Sequence, residues 1–230
     1  MDTLPVDVIV PVYNEAEILD TFYQRLMAVP LPLRPIFIDN CSTDGSLAML
    51  KGFTGATVIE HARNEGYGAS LRDGIRAATA DRIVIIDADC EYPPEAIPAM
   101  VRRLDRCDVV YASRFLEHQE TRMPWLKVRG NQVITRLFNL LFGQRLTDLY
   151  TGAKAFRREV VADLPMEQDG FEHVLEVAAR LARAGRRFEE IHVTFAPRQT
   201  GVSKMSHLGE TVKYLFFLCR YWVSLGHDGR

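Results

Sequence analysis

Asp87 and Asp89 stand two residues apart, directly after the run Arg-Ile-Val-Ile-Ile at 82–86. Alternate residues of an extended chain point the same way. Two carboxylates so placed can hold one hard divalent cation, which could in turn bridge a diphosphate. Glu91 continues the alternation and is a third candidate ligand. A polar turn with an Asp cap would use the same residue types; the position after an almost wholly apolar strand favours the cation. Asp39 ends a second such run, where a carboxylate could accept a hydrogen bond from a base or ribose. Val10-Pro-Val-Tyr-Asn-Glu15 closes a first run, with Tyr13 able to stack on a base. Each residue alone is compatible with structure only. Together they outline one nucleotide-diphosphate cleft.

The elements that must position them follow from the apolar pattern. Strands are expected over 6–12, 34–39, 57–60, 82–87 and 108–113, with helices over 15–28, from about 42 to 53, over 66–78 and from Pro93-Pro94-Glu95. Ser42, Thr43 and Asp44 are candidate caps for the second helix. This alternation implies an open, mainly parallel α/β sheet with helices on both faces. Such sheets bind ligands at the carboxyl ends of their strands. Asp39, Asp87, Asp89, Ser113 and Arg114 all fall there. Further on, helices are expected over 124–142, 170–184 and 207–225, and strands over 150–156 and 188–196. The last helix carries Leu208, Val212, Leu215, Phe216, Cys219 and Trp222 at three- to four-residue spacing. That stripe, with Lys213, Arg220, Tyr221 and Trp222, suits either a membrane interface or packing on the sheet.

The 230 residues fit one domain, with a half at 1–114 for nucleotide and metal, an acceptor half at 115–206 and the last helix at 207–225. Hydrophobic residues at 47% and charged ones at 25% exclude a disordered chain. A net charge of -2 argues against coating nucleic acid. That total hides an asymmetry: residues 1–114 carry a net -6 and residues 115–230 a net +4. Between Glu120 and Asp148 there is no acidic residue, but Arg122, Lys127, Arg129, Arg136 and Arg145 are present. Arginine is 23 of the 28 basic residues, which points to phosphate recognition or to genome composition. The four cysteines form no C-x-x-C pair, so neither a zinc site nor a disulfide scaffold is expected, and a reducing compartment fits. The six histidines show no ligand spacing. No signal peptide and no run of about 18 apolar residues is visible, so a soluble or peripheral, cytoplasmic protein is expected.

Val10-Pro-Val-Tyr-Asn-Glu15, Asp39-Asn-Cys-Ser-Thr-Asp-Gly45, Arg63-Asn-Glu-Gly-Tyr-Gly68 and Asp87-Ala-Asp-Cys-Glu-Tyr-Pro-Pro-Glu95 occur in that order. Ser113-Arg114-Phe115, Asp148, Thr151-Gly152, Phe171-Glu172 and Arg198-x-x-Gly201-x-Ser203-Lys204 follow. The set resembles family 2 glycosyltransferases of the GT-A fold, in the dolichyl-phosphate mannose synthase and polyprenyl-phosphate glycosyltransferase branch. The resemblance runs from about Val6 to Trp222. It implies that Pro11, Tyr13, Glu15 and Asp39 bind the nucleoside of a GDP-, UDP- or dTDP-linked sugar. It implies Mg²⁺ or Mn²⁺ on Asp87, Asp89 and Glu91, although relatives usually carry Gln at the last position. Arg114, Arg129, Arg198, Ser203 and Lys204 would cradle the phosphate of a polyprenyl phosphate, with either Lys127 or Arg129 at the phosphate-binding position and with Asp89, Arg114, Arg198 and Lys204 central to catalysis. Many relatives have C-terminal membrane helices that this sequence does not show, leaving a membrane surface or a membrane partner to bring in the lipid.

A hydroxyl acceptor needs a general base, and Asp148 or Glu172 could serve. A phosphate monoester does not, because its second pKa is about 6. Transfer to a sugar or lipid hydroxyl in cell-surface polysaccharide synthesis is thus the alternative activity. A nucleotide-sugar-binding module without turnover is the alternative class.

Overall fold

The computed structural model describes residues 4–117, 123, 125–194 and 207–224. The elements run β1 (Val6–Val12), α1 (Ala16–Met27), β2 (Leu33–Asp39), α2 (Ser46–Gly52), β3 (Thr57–Glu60), α3 (Tyr67–Ala77), β4 (Arg82–Ile86), α4 (Ile97–Arg103), β5 (Val109–Ser113), α5 (Trp125–Phe142), β6 (Ala153–Arg157), α6 (His173–Arg183), β7 (Phe188–His192) and α7 (His207–Ser224). They build one sheet in the order β3-β2-β1-β4-β6-β5-β7. β1 to β4 are mutually parallel, and β5 pairs parallel with β7. β6 is the exception, inserted antiparallel between β4 and β5. The strand that follows the basic stretch therefore sits next to the strand that carries Asp87.

Alternation along the strands divides the core in two. Val6, Val8, Val10, Val84 and Ile86 pack with Leu19, Phe22, Leu50 and Met100 from α1, α2 and α4. Ile9, Ile83 and Ile85 face the other way, against Leu71, Ile75, Phe138 and Leu175 from α3, α5 and α6. Both faces are covered, which is why β1 and β4 are apolar apart from Asp7 and Arg82. The tight approach of α3 to β1 and β2 requires Gly74, where a Cβ would collide with Ile9 and Ile38.

Two expectations change. α2 begins later than its candidate caps, at Ser46, after Gly45 with φ +98°. The candidate cap Asp44 reaches across the turn and accepts the Ala16 N–H, and Ser46 Oγ accepts the Glu15 N–H, each at 2.9 Å. They tie the start of α1 to the end of β2. The buried face of α7 is also not the expected stripe. Tyr214, Leu218 and Tyr221 are buried, whereas Leu215, Phe216, Cys219 and Trp222 are exposed. Aromatic packing sets the rotation: Tyr214 lies 4.9 Å from the Tyr150 ring, and Tyr221 sits under the Arg180 guanidinium. The side chains of Leu208 and Val212 lie outside the described residues. Among the described residues, no helix is long and apolar enough to cross a membrane, and no cysteine is paired.

Candidate active site

The carboxyl ends of β1, β2 and β4 meet at one edge of the sheet, and the chain is strained there. Asn14, Cys41 and Cys90, each just past one of these strands, have φ of 54°, 64° and 58°. Non-glycine residues rarely adopt such angles, and they concentrate at functional sites. The first two turns brace each other. Thr43 N–H donates to Asn14 Oδ1 at 2.7 Å, and Asn14 N–H donates to Ser42 Oγ at 3.0 Å. This bracing places Pro11, Tyr13 and Glu15, all half-buried, beside Asp39. Asp39 is fully buried, and its Oδ2 accepts the Ser42 N–H at 3.1 Å. Its Oδ1 is buried without a hydrogen-bond partner. Leaving a buried acceptor unmet is costly, and a ribose hydroxyl or base N–H would satisfy it.

At the end of β4, Asp87, Asp89 and Glu91 are half-buried. Asp89 Oδ1 accepts the Glu91 N–H at 3.0 Å, so the turn curls around its own carboxylate. Tyr67 Oη donates to Asp87 Oδ1 at 3.0 Å, its ring stacked on Phe171 at 5.0 Å. Gly152 passes so close that a Cβ there would fall on Asp87 Oδ2 and the Tyr92 ring. Lys154 lies below on β6, two residues back along the sheet, paired in register with Ile85 and Tyr111. Loss of solvent, then the charges of Asp89 and Glu91, push the Asp87 carboxyl well up, against Lys154 and the Tyr67 hydroxyl. Burial pushes Lys154 down. Three crowded carboxylates above one buried ammonium make a donor set suited to a hard divalent cation, so these residues fit Mg²⁺ or Mn²⁺.

Arg114 and Asp148 form a buried, two-pronged pair. Nε and Nη2 of Arg114 donate to Oδ2 and Oδ1 of Asp148 at 2.7 and 2.8 Å. Asn131 Nδ2 adds a bond to Oδ1 at 2.7 Å. Burial alone would raise the Asp148 carboxyl, but the Arg114 charge and these donors hold it below its usual range. Glu172 accepts from Lys213 Nζ of α7 at 2.7 Å. Arg129 is exposed on α5. Arg198, Ser203 and Lys204 lie outside the described residues, as does the side chain of Lys127.

A sequence profile described as "Glycosyl transferase family 2" matches residues 7–164, which runs from β1 to beyond β6 and takes in Asp39, Asp87, Asp89, Glu91 and Asp148. The chain belongs to glycosyl transferase family 2. Among similar proteins, an uncharacterized glycosyltransferase of Mycobacterium bovis is 31% identical over 201 residues, covering 87% of this chain and 89% of that one. The undecaprenyl-phosphate 4-deoxy-4-formamido-L-arabinose transferase of an Enterobacter strain is 30% identical over 213 residues. That match covers 88% of this glycosyltransferase and 63% of the relative, so the chain spans under two thirds of that enzyme. The fold matches glucosyl-3-phosphoglycerate synthase of Mycobacterium tuberculosis, solved with Mn²⁺, UDP and phosphoglyceric acid. The TM-score is 0.75 at 18% identity, over 95% of this chain and 78% of that one. A mannosyltransferase of Pyrobaculum calidifontis, solved with GDP-Man and Mn²⁺, gives 0.63 at 20% identity, over 98% and 65%. The fold is thus GT-A, as the motif order implies.

Three residues of this glycosyltransferase's site escape a reading by motif. Tyr67 is inside a quoted motif, but its bond to Asp87 depends on how α3 packs. Lys154 had a faint signal, a lone lysine in the apolar strand Ala153–Arg157. His173 had none. It is buried at the start of α6, where loss of solvent and then the Lys154 and Arg72 charges push its imidazole down to about 4. An unfolded histidine titrates near 6.5 (about 6.5). The unfolded chain therefore takes up a proton that the native chain refuses as pH falls from about 6.5 to about 4. The stability that His173 contributes as a neutral ring is full above that window and is lost down through it. At about 1.4 kcal/mol per pKa unit the loss approaches about 3 kcal/mol. Urea midpoints from pH 7 to 4.5 should fall more steeply for the wild type than for His173→Gln; parallel slopes would contradict the assignment.

Proposed function

We propose that this glycosyltransferase moves a hexose from a nucleotide-sugar to a polyprenyl phosphate with inversion at the anomeric carbon. The observation that carries the reading is the pairing of Asp148 with Arg114 and Asn131 and of Glu172 with Lys213. These two carboxylates were the candidates for deprotonating a hydroxyl acceptor. Each is engaged by a cationic side chain, and the Arg114 charge holds the Asp148 carboxyl below its usual range. A phosphate monoester needs no base, since it is already anionic. The similarity to a transferase named for undecaprenyl phosphate supports the same choice.

In this reading Pro11, Tyr13, Glu15 and Asp39 hold the nucleoside, with the unmet Asp39 Oδ1 as its hydrogen-bond acceptor. Asp87, Asp89 and Glu91 would hold Mg²⁺ or Mn²⁺, which would offset the charge that gathers on the leaving diphosphate. Tyr67, Gly152 and Lys154 fix the Asp87 carboxylate in place. A phosphate oxygen of the acceptor attacks the anomeric carbon from the face opposite the diphosphate; the new C–O bond forms as the bond to the diphosphate breaks. Arg129, Arg198, Ser203 and Lys204 attract the acceptor phosphate, and Arg114 contributes while sharing its fork with Asp148. Leu215, Phe216, Trp222 and Val223, exposed on α7 together with Trp125 and Leu126 on α5, suit a lipid surface or a membrane partner. The protein would then work at the cytoplasmic face of a membrane.

The test is a radiolabelled screen of GDP-, UDP- and dTDP-sugars with Mg²⁺ or Mn²⁺ against polyprenyl phosphate and hydroxyl acceptors. Label should enter the lipid phosphate only. Label in a hydroxyl acceptor and none in the lipid phosphate would overturn the acceptor assignment. Binding of a donor with no transfer to any acceptor would favour a module without turnover.

A further inference from the structure

Away from the Asp87 turn, the segment between β3 and α3 gathers a second set of metal-ligand side chains. His61, Glu65 and Asp73 each bring one ligand atom, and these atoms all lie within 4.8 Å of one another. A cluster of this kind on a surface is common and means little by itself. Here the hydrogen bonds around it assign the proton on His61 Nδ1.

The Gly66 N–H donates to Asn64 Oδ1 at 3.1 Å. That oxygen is therefore an acceptor, and Asn40 Nδ2 donates to it at 3.0 Å. Asn40 Oδ1 must then point the other way, and it does: it accepts the Glu65 N–H at 2.8 Å. The same oxygen lies 3.1 Å from His61 Nδ1, so Nδ1 carries the ring proton. In the tautomer this fixes, Nε2 carries the lone pair. His61 is only 8% exposed, and its Nε2 is buried with no hydrogen-bond partner. What faces Nε2, at 3.3 Å, is Oδ2 of Asp73, another lone pair. Two lone pairs held that close repel unless something positive lies between them.

The geometry points to a second divalent-cation site on His61 Nε2, Glu65 and Asp73, separate from the carboxylates that follow β4. One imidazole and two carboxylates suit a first-row divalent ion such as Zn²⁺, with water completing the shell. The Nδ1–H of His61 on an amide oxygen is the support that metal-bound histidines usually have. The remaining charges do not block the site. Arg76 sits on the other Asp73 oxygen, Oδ1, at 3.2 Å, and Arg63 approaches Glu65 at 3.8 Å. Both arginines are largely exposed, so these pairs are weak and partly balance the acidic charge. A cation here would tie the 61–66 turn to α3. It would also brace Asp39, because Asn40 follows it directly and His61 N–H donates to its carbonyl at 2.9 Å.

The experiment is a Zn²⁺ titration of the full chain by calorimetry, with Asp89→Asn as background so that the β4 carboxylates bind metal poorly. One equivalent should bind. His61→Gln and Asp73→Asn, added singly, should each weaken it at least tenfold, and Asn40→Ala should weaken it about ten- to a hundredfold. Nitrogen chemical shifts of the ring add a readout independent of activity: Nε2 should move from an unprotonated to a metal-bound value. Asp73 is only half-buried, so Asp73→Asn decides the matter if His61→Gln does not fold. Unchanged Zn²⁺ affinity in Asp73→Asn would overturn the site. So would a His61 ring protonated on both nitrogens at neutral pH and indifferent to Zn²⁺, since the positive charge facing Asp73 would then be a proton.

Discussion

Asp89→Asn is expected to cut transfer about a thousandfold while the protein stays folded. Charge stabilisation by a bound metal is worth several kcal/mol in a transition state, and about 4 kcal/mol corresponds to about three powers of ten in rate. The substitution removes a charge from the proposed cation site and keeps the shape of the side chain. Asparagine keeps the oxygen that accepts the Glu91 N–H. It also relieves repulsion against Asp87, where Asp89 is the largest charge contribution. The melting temperature should therefore hold or rise. Initial rates across an Mn²⁺ titration, with melting curves on the same samples, check both halves. Wild-type turnover in the variant would remove Asp89 from the site.

The second large effect is on stability. Asp148→Ala should cost about 3–5 kcal/mol, the usual consequence of stranding one member of a buried ion pair. Asp148 is fully buried and Arg114 is 7% exposed. Losing the carboxylate takes an acceptor from Nε and Nη2 of Arg114 and from Nδ2 of Asn131, while Nη2 keeps the Tyr150 carbonyl. For a chain of this length each kcal/mol moves the melting temperature by about 2–4 °C, so the fall should be about 10 °C. Replacing both members, Asp148→Leu with Arg114→Met, should recover much of this, because no charge is then left buried without its partner, although Asn131 Nδ2 still loses its acceptor. The recovered protein then separates two roles of Arg114. If Arg114 also meets the acceptor phosphate, the double variant will be stable but slow. A single Asp148→Ala variant within about 1 kcal/mol of the wild type would show that the pair is not held as described.

Both predictions concern residues that the motifs name, yet the motifs assign them unequally. Asp89 could be placed without a structure. It follows an apolar strand, that strand is recognisable from five residues, and βα alternation puts its end at the edge of the sheet where ligands bind. Asp39 is similar. Asp148 and Glu172 were read as candidate bases because a carboxylate in a sequence shows its chemistry but not its partner. Arg114 is 34 positions from Asp148, and Lys213 is 41 from Glu172. Pairing over such separations depends on how elements pack. The same holds for α7: three- to four-residue spacing marks a helix with an apolar side, but Tyr214 and Tyr221 also lie on that helix, and contact with Tyr150 and Arg180 selects their face.

The sequence by itself determined the class of fold, the family, and the line of carboxylates at the ends of β2 and β4. Those features rest on local alternation and on short motifs whose members are neighbours in the chain. The tertiary structure alone decided that β6 enters antiparallel beside β4. That insertion sets Lys154 and Gly152 against Asp87 and locks Arg114 onto Asp148. The packing of the 61–66 turn against β2 and α3 aims His61 Nε2 at Asp73, through hydrogen bonds that begin at Asn40. Register, burial and the direction of a lone pair arise only when distant segments meet, and no single segment of the chain encodes them.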